Sequence, residues 1–481
     1  MTRGRTILTI LILLVLSFQV LVLVILAFFP YVPDPGFSAF NADVYTLLAP
    51  LSTIFLLGLL YAWLINLGTR EARHKSQRFE RFVEFVSEPF RPLISSVETR
   101  SLSDSARTSK ILSHPRLLLA VSLAASFLLA LVSYRPDLNP TGSLVGVDSP
   151  LYVTWINQML ANPLPQALQY SFVEGLDGSR PLLLVILYAV ASLGVSPAHV
   201  IEYLPMLLAP LLSLSTYIFA RFGHGSQGLA GLTALFTPFS LYLTVGLWGG
   251  YYANMLALIF VFLFLTLLLL FSRSPSASKY GLMLALSVAL FLTHPWTWVL
   301  ITTVSLVFAV SLYKEKRRLV YVQSIIGIIA TGVVLDLVKS SVLATRSVGV
   351  DVAGTFQSAG IAQLSNFWPN LVDALLYTHG GLIADWLILG LGLLAAFALP
   401  YKNPFERLLI LWTAVASIPF LVLDSYHQAR IVYDLPIPIL MSVAVLYFFP
   451  HIGARTRQPG IVIALVLVTV ASYALQGILL L

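Results

Sequence analysis

The chain has 481 residues, 58% of them hydrophobic and 10% charged, with a net charge of +7 and no cysteine. Its mean hydropathy of +0.88 is more than a water-soluble fold can bury, and the missing cysteines exclude disulfides, thiolate metal sites and cysteine nucleophiles. In such a chain, Lys and Arg mark the cytoplasmic joints of a membrane protein, which explains the positive charge without nucleic-acid binding.

Runs of about 20 apolar residues can cross a bilayer core, and only a helix satisfies every backbone group within such a run. The expected fold is therefore all-α: a polytopic transmembrane bundle of about 13 spans plus one short or re-entrant helix, with no soluble domain. The first run, 7–29, is too long for a signal-peptide core, and Arg3 and Arg5 are expected to hold the N-terminus in the cytoplasm. With a second span at 44–67, residues 1–115 read as a two-span hairpin around a cytoplasmic loop, 69–110, that carries nine Lys and Arg. Within that loop "FERFVEFVSEPF" reads equally as an amphipathic surface helix and as a short helix in a solvated linker.

Residues 116–481 read as the main bundle. Its expected spans are 116–133, 200–220, 228–247, 251–272, 280–293, 297–313, 320–338, 383–399, 407–424, 431–449 and 459–480. The basic joints "KEKRR" (314–318), "KNPFER" (402–407) and "ARTRQ" (454–458) go to the cytoplasmic side with Arg221, Arg273 and Lys279. The longest outer segments are then 134–179 and 339–382. If both 134–179 and the "WGGYY" turn (248–252) are outside, an even number of spans must separate them. The 180–194 run, short for a crossing, then dips in or lies at the interface; a misplaced 150–165 segment resolves the parity equally well.

Ionisable groups near the bilayer are expensive and therefore informative. In "VGVDSP", Asp148 lies just before Ser149-Pro150, where a helix should begin. It reads either as an N-cap or as a general base at the lipid–water boundary. Arg180, ahead of Pro181, reads as an interfacial anchor or as a phosphate ligand. His294-Pro295 marks a sharp turn between two short apolar helices, flanked by the interfacial tryptophans Trp296 and Trp298. In "LDSYHQARIVYDLPIPIL", Arg430 and Asp434 are spaced to pair on one helix face. Alternatively Arg430, with Tyr426 and His427 beside it, grips a lipid phosphate, a role that suits a forked guanidinium. There is no phosphate-loop Gly-Lys-Ser/Thr, HExxH, GxSxG or GxGxxG after a strand, so ATP-driven transport, zinc hydrolysis and serine-hydrolase chemistry lose support.

The order of features from the acidic first loop, through "SRPLLLVILY" and "LAPLLSLSTYIFARF", to the small-residue run ending in "LWGGYY" resembles the GT-C superfamily of polyprenyl-phosphate-sugar-dependent glycosyltransferases. It is especially similar to the membrane part of oligosaccharyltransferase catalytic subunits. The likeness covers roughly 116–300, with "HQARIVYDLP" adding to it near the end. The resemblance implies a GT-C-like core and sugar transfer, with inversion, on the outer face of the cell membrane. The donor would be a polyprenyl-phosphate sugar, and the acceptor a glycan, lipid or protein. Asp148 matches the first-loop acid, and Arg430 matches a late arginine that contacts the donor phosphate, with Arg346 and Arg180 assisting. His294, Tyr251, Tyr252, Asn254, Tyr426, His427 and Asp434 would line the pocket. Two features depart from the pattern. Tyr252-Ala253-Asn254 stands where a second acidic motif follows the Gly-Tyr turn, and the large C-terminal soluble domain with its Trp-Trp-Asp motif is missing. A bound divalent metal is thereby disfavoured, and metal-independent transfer of a single sugar is the better fit. The 339–382 segment is expected to cover the site. The rival classes are a transporter or flippase for a lipid-linked or amphipathic solute, and a non-catalytic membrane scaffold in which Asp148 tolerates substitution.

Overall fold

The computed structural model describes residues 114–133, 144–316, 318–343, 345, 347–358 and 403–456, with single positions between 392 and 399 and between 466 and 478. The expected 1–115 hairpin, save its last two residues, lies outside these, as do Arg346 and the 359–382 part of the expected lid. Among the described residues every regular element is a helix.

In chain order they are α1 (Pro115–Val132), α2 (Ser149–Leu160), α3 (Leu164–Val173), a 3-10 turn (Gly175–Gly178), α4 (Pro181–Ala191), α5 (Pro197–Gly223), α6 (Gln227–Phe236) and α7 (Leu241–Gly249). There follow α8 (Tyr252–Arg273), α9 (Ala277–Thr293), α10 (Pro295–Lys316), α11 (Val320–Leu343), α12 (Val348–Ser358), α13 (Pro404–Val422), α14 (Ser425–Tyr433) and α15 (Ile437–Thr456). Among the described residues, six helices are long and apolar enough to cross a membrane: α1, α5, the α6–α7 pair taken together, α8, α10 and α11. Local chemistry sets the starts. Proline opens α1, α4, α5, α10 and α13, where its missing N–H costs nothing. Ser196, Ser226 and Ser276 cap α5, α6 and α9 by accepting the N–H three residues on.

Two expected spans are divided. The run at 228–247 breaks at Thr237–Ser240, because Pro238 has no N–H to bond back; Ser240 recaps the chain by accepting from Tyr242 N. The run at 431–449 begins as the last three residues of α14 and resumes as α15 only at Ile437. Pro436 disfavours helical backbone at Leu435, so α14 stops at Tyr433 and Asp434 falls in a joint.

The connections fix which ends lie together. The α5–α6 joint spans only three residues, so these helices run antiparallel, seamed by Thr216 Oγ1 against Thr237 Oγ1 at 2.8 Å. Ser126 Oγ meets Ser213 Oγ at 2.7 Å and ties α1 into the same seam, the kind of small polar contact that holds helices together in lipid. At one end, Arg407 on α13 bonds Glu315 on α10 at 2.6 Å, and Arg273 donates to the Phe222 and Gly223 carbonyls. The His224 and Phe405 rings meet 5.5 Å apart, so the joints at 221–225, 273–279, 314–318 and 402–407 share an end. At the other end, Val147 N and Asp148 N donate to Trp248 O and Gly249 O at 3.0 and 3.1 Å. Residues 147–148 and 248–249 thus share an end, and α5 and the α6–α7 pair are the helices between them long and apolar enough to cross a membrane. The helix in the 180–194 run, α4, has 11 residues, short for a crossing.

Candidate functional site at the end opposite the basic joints

The site begins with the docking of 145–149 onto the "WGGYY" turn. Gly250 caps α7 in the left-handed region (φ 66°), and Gly146 has φ 100°. Those two backbones approach so closely that a Cβ on Gly146 would lie 2.6 Å from Leu247 O and 2.9 Å from Gly250 Cα. Tyr252, the first residue of α8, bonds Ser149 Oγ at 2.9 Å and donates to Val145 O at 3.2 Å. Replacing Gly146 by Ala should therefore undock the segment, adding about 1–2 kcal/mol of left-handed backbone strain to a clash with backbone that cannot yield. A drop of several degrees in the thermal unfolding midpoint of the purified chain is the expected result.

Asp148 occupies the N-cap position of α2, yet its side chain makes no capping bond. Its Oδ2 instead lies 3.5 Å from Arg180 Nη1. Arg180 sits at the head of α4 and is only 3% exposed, so it is a buried partner and not an interfacial anchor. The same Nη1 donates to Tyr152 OH at 2.8 Å, one turn along α2 from Asp148. Burial pushes the Tyr152 phenol up from its ordinary range, so it stays neutral and accepts this bond. The Asp148 side chain is 23% exposed, which leaves it open on one side.

A second cluster meets the first. His294 ends α9 in an extended conformation just before Pro295 opens α10. Its Nδ1 lies 2.7 Å from Thr297 Oγ1, which in turn lies within hydrogen-bond distance of Asp434 Oδ2, at 2.8 Å. Asp434 Oδ1 is buried with no hydrogen-bond partner among the described residues. Burial holds the His294 imidazole well below its ordinary value, reinforced by the Arg180 and Arg430 guanidiniums. Burial lifts Asp434 to about 7, against the Thr297 hydrogen bond and the Arg430 charge, which pull it down. Two arginines from distant stretches thus bear on one imidazole.

These shifts carry a sign. Asp434 favours the fold while protonated, so its contribution is complete below about pH 4 and is lost as pH rises through about 7. His294 favours the fold while neutral, and its contribution is lost as pH falls below about 6.5. Asp434→Asn should therefore gain stability relative to the parent between about pH 5 and about pH 8, by on the order of a few kcal/mol. Thermal unfolding of both proteins across that range reads it.

Other expected site residues fall around these clusters. Tyr251 packs edge-on against Tyr433, with ring centroids 5.6 Å apart, and Asn254 is buried in the first turn of α8. His427 Nδ1 bonds Asp424 Oδ1 at 2.7 Å, and its ring lies 5.2 Å from that of Trp296. Trp298 is buried, donating to Ser287 Oγ at 2.8 Å, and does not sit in an interfacial belt. The Asp434 carboxylate turns to Thr297 on α10 instead of forming the expected local pair with Arg430. The side chain of Tyr426 lies outside the described residues, as Arg346 does. Among the described residues no three His, Asp or Glu side chains come together as a metal would need.

Sequence reading missed Thr297, Tyr152, Asp336 and Lys339. Asp336 accepts from Val348 N at 3.0 Å and Ser347 Oγ at 2.6 Å, fastening the start of α12 to the end of α11. Lys339 Nζ donates to Gly178 O at 2.9 Å, so this segment begins beside the turn that carries Arg180. Neither a protein-family model nor a curated protein sequence matches the chain.

Proposed function

We propose that the chain is a membrane glycosyltransferase with a GT-C-like core and about 13 spans, moving a sugar with inversion from a polyprenyl-phosphate carrier to an acceptor at the outer membrane face. The observation that carries this reading is the convergence of Asp148, Arg180, Arg430, His294 and Asp434 at one end of an otherwise apolar bundle. The donor tail lies among the helices, and its phosphate meets Arg430 and Arg180, the latter swinging between Asp148 and the ligand. Guanidiniums suit the task because they offset the charge that builds on the departing phosphate. Asp148, partly open and held by its docked backbone, takes the proton from the acceptor hydroxyl as that oxygen attacks the anomeric carbon. Tyr252-Ala253-Asn254 stands where the resemblance places a second acidic motif, and Tyr252 OH bonds Ser149 and the Val145 carbonyl, so transfer without a bound metal is the reading we take.

Membranes containing the chain, supplied with a panel of labelled polyprenyl-phosphate sugars, should pass label to an acceptor with at least one donor. Movement of a lipid-linked solute across the bilayer without transfer from any donor would instead identify a flippase.

A further inference from the structure

We propose that Asp434, Thr297 and His294 form a proton relay in which His294 Nε2 is the general acid for the departing phosphate, an assignment that rests on the glycosyltransferase reading above. The geometry allows two proton arrangements. In the first, Asp434 is neutral, its Oδ2–H donates to Thr297 Oγ1, the Thr297 hydroxyl donates to His294 Nδ1, and the imidazole proton sits on Nε2. In the second, Asp434 is a carboxylate, the Thr297 hydroxyl donates to it, Nδ1–H donates to Thr297 Oγ1, and Nε2 is bare. The two differ by one proton, taken on or given up at Nε2.

Two contacts favour the first arrangement at rest. Thr297 N–H also points at His294 Nδ1, at 3.3 Å, a contact that needs Nδ1 to be an acceptor. Asp434 Oδ1 has no partner among the described residues, an arrangement that costs a carboxylate more than a neutral acid. The residues facing the relay are consistent with this. Arg430 lies one turn earlier on α14, Tyr433 and Tyr242 flank Asp434, Tyr251 packs on Tyr433, and Arg180, with Asp148 behind it, faces His294. The imidazole thus lies near the two guanidiniums assigned to the phosphate, and its Nε2 has no hydrogen-bond partner among the described residues.

The transfer step balances. The bond from the anomeric carbon to the phosphate oxygen breaks, and its electron pair stays on the phosphate. The acceptor oxygen bonds the anomeric carbon, and its proton passes to Asp148. Nε2–H protonates the phosphate, Nδ1 takes the Thr297 hydroxyl proton, and Thr297 takes the Asp434 proton, leaving a carboxylate. Water reprotonates Asp434 through the same path, and Asp148 returns its proton to water. His294 is the catalytic residue here; Thr297 and Asp434 act through it.

The test is the ¹⁵N spectrum of the full chain in detergent, labelled at histidine, in which neutral imidazole tautomers are distinct. Loss of one signal in His294→Gln assigns it. The expected result is an Nε2–H tautomer at about pH 6 and an Nδ1–H tautomer at about pH 8.5, with no such exchange in Asp434→Asn or Thr297→Val. Farnesyl phosphate, a short polyprenyl monophosphate, should move the midpoint upward by about one pH unit, because its charge disfavours the Asp434 carboxylate. One tautomer throughout, or exchange that survives in Asp434→Asn, overturns the relay. Exchange that farnesyl phosphate leaves unmoved keeps the relay and overturns the phosphate reading.

Discussion

Asp148→Asn should lower sugar transfer by roughly 10²–10⁴-fold, the usual contribution of a positioned base, while leaving the fold in place. Asn preserves the shape of the side chain, and the backbone bond from residue 148 to Gly249 O does not depend on it. Arg180 keeps its bond to Tyr152 when the carboxylate is gone. The same substitution separates the two roles open to this residue. Asn caps helices about as well as Asp, so a capping role predicts little change in activity or stability. The side chain makes no capping bond, which already favours the other role. Rates measured in membranes with the parent and variant at equal abundance give the answer, and unchanged transfer would remove Asp148 from the mechanism.

Arg180→Ala should have a second large effect, of a different kind. It leaves Tyr152 OH and the Asp148 carboxylate without their cation, deep in the joint between α2 and α4. Breaking a fully buried pair costs about 3–5 kcal/mol, but Asp148 is open on one side and can turn toward water, so a loss of about 2 kcal/mol is expected. Donor binding should fall by about 100-fold or more, since a charge-assisted contact to phosphate goes with it. Arg180→Lys should restore most of the stability and only part of the binding, because an ammonium is a point charge and cannot fork between two partners. Unfolding midpoints and titration with farnesyl phosphate report the two effects separately. Equal phosphate affinity in all three proteins would assign Arg180 a purely structural role.

Much of the helical layout was legible because lipid makes composition decisive. An apolar run such as 251–272 has one stable solution, and the helix Tyr252–Arg273 follows it closely. Breaks inside apolar runs were harder to read. Pro238 and Pro436 lie inside runs expected to be continuous spans, 228–247 and 431–449, and it is their backbone chemistry that divides the helices. At the site, Asp148, Arg180, His294 and Asp434 stood out as charges and imidazoles in an apolar chain. Their partnerships did not, because contacts such as Arg180–Tyr152 and Thr297–Asp434 join residues far apart in sequence. Thr297 carried one faint signal: it stands three residues after His294, across the first turn of a helix opened by proline. Local pairing of Arg430 with Asp434 was the natural expectation from spacing, and the break at Pro436 turns Asp434 toward α10 instead.

The central claim is that a sugar leaves a polyprenyl phosphate at this end of the bundle. The ³¹P spectrum tests it most directly, with the purified chain in bilayer discs, a panel of polyprenyl-phosphate monosaccharides and a membrane extract as the source of acceptor. At least one donor should lose its phosphodiester resonance and gain that of a phosphomonoester, and the conversion should slow by at least about 100-fold in Asp148→Asn. A phosphodiester signal that persists with every donor, or conversion at the same rate in the variant, would contradict the account.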